Sequence, residues 1–265
     1  MSEANRDYLK RIVIKGFKSI NNCDLELKNI NVFIGSNGAG KSNLVSVFEL
    51  LQNIEQKEAV TVWTGSPEHP SKLLLEKYQC NVYQFHDTGS TSKIKMEHNL
   101  SNSKFLRQDA SNLAAFLYRL REHYPASYQK ILKAIQRIAP YFKDFKLEPD
   151  EYNNEHIVLR WRQKGCEDIF NASQISDGTL RFICLAALLL QPADLQPNTI
   201  IIDEPELGLH PYAITIFAEL VKKAAIKKQI ILATQSTEQL RVWLEDDYTL
   251  GELWNKNIFG GRVSG

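Results

Sequence analysis

The stretch that most constrains this chain is Gly35–Ser42, which reads Gly-Ser-Asn-Gly-Ala-Gly-Lys-Ser. It meets the phosphate-loop spacing G-x-x-x-x-G-K-S/T at every fixed position. Its flanks agree. Ile30–Ile34 is a short apolar run of the kind that makes a buried strand, and Asn43–Asn53 carries Leu44, Val47, Phe48, Leu50 and Leu51 at helical spacing. A loop between a strand and a helix N-terminus turns successive N–H groups into one concavity, and the helix dipole adds to its preference for an anion. Gly35, Ser36, Asn37, Gly38, Ala39, Gly40, Lys41 and Ser42 are therefore the candidate nucleotide-binding residues. In such a loop the lysine reaches the β- and γ-phosphates and the following hydroxyl ligates Mg²⁺, the roles expected of Lys41 and Ser42.

A second strong signal is Thr199–Glu204, Thr-Ile-Ile-Ile-Asp-Glu. A β-branched apolar run ending in two carboxylates reads as a buried strand whose C-terminal end faces the ligand crevice of a parallel sheet. Asp203 is expected to hold Mg²⁺, directly or through water, and Glu204 to orient or deprotonate an attacking water. The histidine just beyond, His210, attracts interest by its position.

The rest of the chain supplies a scaffold of ordinary composition. Its 265 residues are 43% hydrophobic and 24% charged with a net charge of +1, enough for a sizeable core and without the basic excess of a dedicated nucleic-acid binder. Cys23, Cys80, Cys166 and Cys184 show no metal-ligand spacing, and no secretory signal opens the chain, so reduced thiols and a cytoplasmic location are expected. The longest apolar run, Phe182–Leu190, is too short to span a bilayer.

Arg11–Lys15 and Asp24–Lys28 alternate like strands around a turn at Gly16–Ile20. Cys80–Phe85 reads as a strand. Asn112–Tyr124 and Ser127–Ala139 read as a helical hairpin, the first helix capped by Asp109 or Ser111 and stopped by Pro125. Phe142–Leu147 and Ile157–Trp161 are expected to return the chain to a sheet. Asp177–Leu190, the Thr199–Asp203 strand, a helix from Pro211 to Ala224 and a strand at Gln229–Ala233 give the alternation of a parallel α/β sheet.

Together these blocks resemble the ABC-type ATPase heads of the SMC, Rad50, RecF and OLD class, over roughly residues 9–240. The opening Ile14-Lys15-Gly16-Phe17-Lys18-Ser19, the phosphate loop as Walker A, and Ile200–Pro211 as Walker B and the loop that follows it carry the likeness. Ser176-Asp177-Gly178-Thr179-Leu180-Arg181 looks like the ABC signature, with Asp177 where a glycine is usual. Within that class the chain is most similar to bacterial AAA_21 (AAA15-like) predicted ATPases, through Ser111–Leu117, Gly251–Trp254 and Gly260–Arg262.

The resemblance implies an α/β P-loop NTPase, an ABC-ATPase-like head with a mixed N-terminal sheet, a parallel core sheet and a helical insert at about 105–140, all within one domain over 1–265. It implies ATP as substrate, Mg²⁺ as cofactor and a homodimer that sandwiches two ATP molecules, in which Ser176 and Gly178 touch the γ-phosphate held by the other subunit. It implies control of a separate nuclease-like effector, in a setting such as anti-phage defence, with DNA engaged only indirectly and no membrane.

Two departures stand out. The sensor position after the Ile230–Ala233 strand reads Thr234-Gln235-Ser236 in place of a histidine, so Gln235 or Ser236 would substitute, with Gln235 the catalytic candidate, and turnover is expected to be slow. No further strands are expected after the sensor, which would leave a bare sheet edge. The usual glutamine of the loop between the two Walker motifs is weakly represented by Gln79 and Gln84, and no acidic cluster after Ser236 supplies a nuclease site. Two alternatives stay open: a DNA-maintenance ATPase that binds DNA directly through Lys222, Lys223, Lys227 and Lys228, and a degenerate module that binds nucleotide without hydrolysis.

Overall fold

The computed structural model describes residues 8–35, 40–54, 80–150, 152–235 and 249–252. In chain order the elements are β1 (Arg11–Phe17), β2 (Ile20–Glu26), β3 (Ile30–Ile34), α1 (Lys41–Ile54), β4 (Cys80–Tyr83), β5 (His98–Asn99), α2 (Leu113–His123), α3 (Pro125–Ile138), β6 (Phe142–Lys146), β7 (His156–Ile157), β8 (Arg160–Gln163), β9 (Ile169–Asn171), α4 (Asp177–Leu190), β10 (Thr199–Asp203), α5 (Pro211–Ala225), β11 (Gln229–Thr234) and β12 (Thr249–Glu252). They fall into two compact units, 1–82 with 197–205 and 225–265, and 83–196 with 206–224.

The first unit holds the core sheet, ordered β12-β3-β11-β10-β4. β10 runs parallel to β11, β11 to β3 and β12 to β3. Strands covered on both faces read as unbroken apolar runs, and β3 and β11 are buried at every position. The pairing of Thr234 with Ile34 and of Ala233 with Asp203 brings the C-terminal ends of β3, β11 and β10 level. β12 is a correction to the sequence reading: a strand does follow the sensor, pairing parallel with β3 at one edge of the core sheet.

β1 and β2 form a separate antiparallel hairpin. The strands extend further than the alternation suggested, so the turn shrinks to Lys18-Ser19, with Lys18 at φ +51°. Short hairpin loops take positive φ because it matches strand twist. Gln229, at the start of β11, anchors this region: its amide donates to Leu9 O (2.8 Å) and Lys28 O (2.9 Å) and accepts from Leu9 N (3.2 Å) and Thr199 Oγ1 (3.0 Å). Ile12, Ile14, Ile20 and Cys23 of the hairpin join Phe33, Leu44, Val45, Phe48, Ile201 and Ile231 in one core. Leu50, expected on the apolar face of α1, is instead 39% exposed.

In the second unit α2 and α3 form the expected hairpin, with two corrections. Neither Asp109 nor Ser111 caps α2; the N-cap is Asn112, and Asp109 Oδ1 accepts instead from Ser111 N (2.9 Å). Pro125 opens α3 at its first position, where its missing N–H costs nothing. Asn112 is fully buried because it organises the preceding loop, donating to Asn102 O (2.5 Å) and Phe105 O (2.8 Å) and accepting from Arg107 N (2.9 Å).

The expected Ile157–Trp161 strand is split into β7 and β8, and the returning strands do not join the core sheet. β6, β8 and β9 make their own antiparallel sheet, consolidated by Phe142 stacked on Trp161 with centroids 5.4 Å apart. α4 is buried from Leu180 to Leu189, where Arg181 is the one residue that is not apolar. All four cysteines are free, and burial raises the Cys23 thiol to about 11. Among the described residues no helix is long and apolar enough to cross a membrane.

Candidate nucleotide site

Within the first unit, the structure describes the residues at the two ends of the Gly35–Ser42 stretch. Gly35 continues β3 and donates its N–H to Thr234 O at 3.2 Å, so the loop leaves the sheet still tied to β11. Gly40 sits at φ +90°, a conformation open to glycine, and its carbonyl accepts from Asn43 N and Leu44 N at 3.0 Å each to start α1. Lys41 is 5% exposed, with Nζ donating to Gly35 O across the loop. Ser42 is exposed at the helix start. Ser36, Asn37, Gly38 and Ala39 lie outside the described residues.

The hairpin turn braces this helix. Lys18 Nζ donates to Ser46 Oγ at 2.7 Å and Asn43 Nδ2 to Ser19 Oγ at 2.5 Å. Lys18 therefore has a partner on α1, whereas Lys15 is exposed.

The acid pair ends β10 next door. Asp203 is half-buried after four buried residues. Glu204 adopts φ +46° while its N–H donates to Ala233 O at 2.7 Å, a left-handed turn that redirects the chain at the strand end. A non-glycine residue held there is strained, and such strain gathers at functional positions. Gln235, just past β11, donates from Nε2 to Glu204 Oε1. This bond joins the acid pair to the sensor position, two blocks that the sequence reading treated separately.

Among the described residues no group of three or more His, Cys, Asp or Glu is arranged around a cation. Mg²⁺ is commonly held by one or two protein oxygens together with phosphates and waters. Ser42 Oγ and an Asp203 carboxylate oxygen are hard donors of the right kind.

The second unit carries the signature-like turn. Ser176 caps the 14-residue helix α4, accepting from Thr179 N at 3.3 Å and donating to Thr179 Oγ1 at 2.8 Å, and it is exposed. Asp177, 62% exposed in its side chain, pairs with Lys95 Nζ at 3.3 Å, whose own side chain is only 9% exposed. A Cβ at Gly178 would lie 2.3 Å from Gly208 O, so packing alone demands glycine there, whatever else it contacts.

His210 has a structural place: its Nδ1 accepts from Tyr212 N at 3.3 Å and its carbonyl from Ile214 N at 3.2 Å, opening α5. Gln84, just past β4, is exposed, and its N–H donates to Gln108 O at 3.0 Å; Gln79 lies outside the described residues. Of the four lysines proposed to face DNA, Lys228 is buried at 8% exposure and drops out of any phosphate-facing surface.

Three features escaped the sequence reading: Lys95, which sits 82 positions before its partner Asp177; the Glu204 backbone; and Arg181, 6% exposed. Only Arg181 left a trace, as a lone cation in the otherwise apolar run Leu180–Leu190.

A family model described as "AAA domain, putative AbiEii toxin, Type IV TA system" (AAA_21) matches residues 83–241, more than half of the chain. A model for a protein family of unknown function (DUF2813) matches residues 7–127. Among curated proteins none matches the sequence. In structure the chain is similar to an SMC head bound to the C-winged-helix domain of ScpA, with TM-score 0.59 and 15% identity over 88% of this chain and 91% of that one. It is also similar to an SMC head with an extended coiled coil bound to the C-terminal domain of ScpA, derived from Pyrococcus furiosus, with TM-score 0.54 and 13% identity over 88% and 91%. The sequence match and the shared fold lead to one conclusion: the chain belongs to the AAA_21 family and has the fold of an ABC-type ATPase head of the SMC class.

Proposed function

We propose that the protein binds and hydrolyses Mg·ATP. The observation that carries this reading is the bond from Gln235 to Glu204 at the level ends of β10 and β11, with β3 delivering Lys41 and Ser42 at the same sheet end. Lys41 supplies the cation for the β- and γ-phosphates. Ser42 and Asp203 are the residues that would hold Mg²⁺, which would supply charge neutralisation at the phosphates. Gln235 fixes Glu204 Oε1, and the other carboxylate oxygen orients a water and accepts its proton as the water attacks. Gln235 thereby takes over positioning from the usual histidine.

Ser176 and Gly178 extend the reading to a homodimer, because an exposed serine at a helix N-terminus suits a phosphate brought by a second copy. The ATP-sandwiched dimer then controls a partner effector. The partner-bound SMC heads support the idea of a second protein, and the family's description supports a defence setting.

Steady-state phosphate release tests the core of this. The wild type is expected to release phosphate in a Mg²⁺-dependent way. Glu204→Gln is expected to lower turnover by about 10²–10⁴-fold while keeping ATP bound. Unchanged turnover in that variant removes Glu204 from the chemistry. ATP binding with no turnover in the wild type establishes the degenerate module instead.

A further inference from the structure

One side chain ties the signature-like turn to the loop that follows the acid pair. Arg181, one turn into α4, donates from Nε to Phe85 O at 2.8 Å, from Nη2 to His86 O at 3.0 Å, and from Nη1 to Leu207 O. Carbonyls of two loops therefore converge on one guanidinium. Burying that charge is costly, and an aliphatic residue would fill the same place in α4. A guanidinium holds its diverging donors in a fixed planar fork, a geometry that the compact, rotatable ammonium of lysine does not reproduce.

The same joint is closed a second time by glycines. Gly178 approaches so closely that a Cβ would meet Gly208 O at 2.3 Å. Gly208 lies at φ +71°, and its own Cβ direction is filled by Arg181 Nη1 at 2.8 Å. Arginine, turn and loop thus exclude any side chain from the space they share. Ser176 and Asp177 remain exposed on its outer side, as do Leu207 and Gly208.

We infer that Arg181 is a positioning residue. It makes Ser176–Gly178 and Glu206–Leu209 one rigid surface, so that a nucleotide carried by a second copy meets Ser176 in a fixed place. Arg181 does not itself touch nucleotide. The inference rests on the ATP-sandwich reading for its consequence, and on the geometry alone for the rigid joint.

The test uses the full chain carrying Arg181→Lys, with Gly178→Ala as an independent way to pry open the same joint. Amide hydrogen exchange at 176–179 and 206–209 is expected to rise together in both variants. In Arg181→Lys, ATP affinity, set by Lys41 and Ser42 in the first unit, is expected to stay at the wild-type value. Turnover, measured well below the melting temperature, is expected to fall about a hundredfold, as for other displaced contacts. Wild-type exchange in Arg181→Lys would overturn the joint. Wild-type turnover, or ATP affinity falling in step with melting temperature, would reduce Arg181 to a general stabiliser and overturn its positioning role. If the wild type neither dimerises nor turns over ATP, the sandwich reading fails, while the exchange experiment still decides the joint.

Discussion

The two units place their functional groups by different physics. In the first, position follows from sheet register. Ile34, Thr234 and Asp203 end neighbouring parallel strands, so Gly35, Gln235 and Glu204 emerge side by side, and backbone bonds such as Glu204 N to Ala233 O prolong the ladder past the strands. In the second, Ser176 and Gly178 are fixed by a cap, a close glycine contact, a buried arginine and a lysine–aspartate pair. A sheet carries a site as a by-product of folding. A turn needs side chains committed to it, and those can be altered one at a time without dissolving the fold.

This contrast can be broken most severely at Lys41. Lys41→Ala removes the cation proposed to meet the phosphates and a bond to Gly35 O, and is expected to weaken ATP by about 1.5–3 kcal/mol, the range of hydrogen bonds to charged groups. Titration calorimetry with Mg·ATP reads it. The fold should persist, because register and not Lys41 holds the loop ends; unfolding of the variant would contradict that.

A smaller effect sharpens the picture of the second unit. Asp177 puts a carboxylate where an incoming phosphate is expected, and Lys95 offsets it at 3.3 Å. Lys95→Ala should weaken ATP-driven self-association by about 1 kcal/mol, the scale of a partly screened charge at this distance. Asp177→Gly in the same chain should restore it, because the repulsion is gone. Analytical ultracentrifugation of both variants decides: a double variant no better than Lys95→Ala makes Lys95 a packing residue.

The smallest expected effect lies away from both sites. The Arg137 guanidinium, bonded to Glu219 at 2.6 and 2.9 Å, holds the Glu219 carboxyl below its usual range. A lowered folded-state value gives stability that is present above the ordinary carboxylate pKa and is lost as pH falls through the lowered one. Both side chains are about 40% exposed, so screening limits the pair to less than about 1 kcal/mol. Glu219→Gln should therefore cost little at neutral pH and nothing at low pH or high salt, by urea melts. A larger loss would show that this pair, like Arg181, holds elements in place.

What was legible in the sequence follows the same division. The strand and helix that flank Gly35–Ser42, and the strands that end before Glu204 and Gln235, could be read because strand–loop–helix order is written in apolar runs and glycine spacing. The strands of the second unit were harder. Ile157–Trp161 looks continuous, yet it divides into β7 and β8, which join different small sheets. β12 was missed because its four residues, Thr-Leu-Gly-Glu, carry little strand pattern and gain their place from β3. Lys95 could not be paired with Asp177 from spacing, since only the fold brings them together. The cap at Asn112 was hidden because its side chain serves the preceding loop and leaves the helix end uncapped by it.

The central claim is that Mg·ATP turns two copies of this head into one composite site. Light scattering gives the solution mass of Glu204→Gln with and without Mg·ATP. The account predicts a mass that doubles with nucleotide and returns to the monomer when Ser176→Arg is added. A monomer that binds ATP and keeps its mass would contradict it.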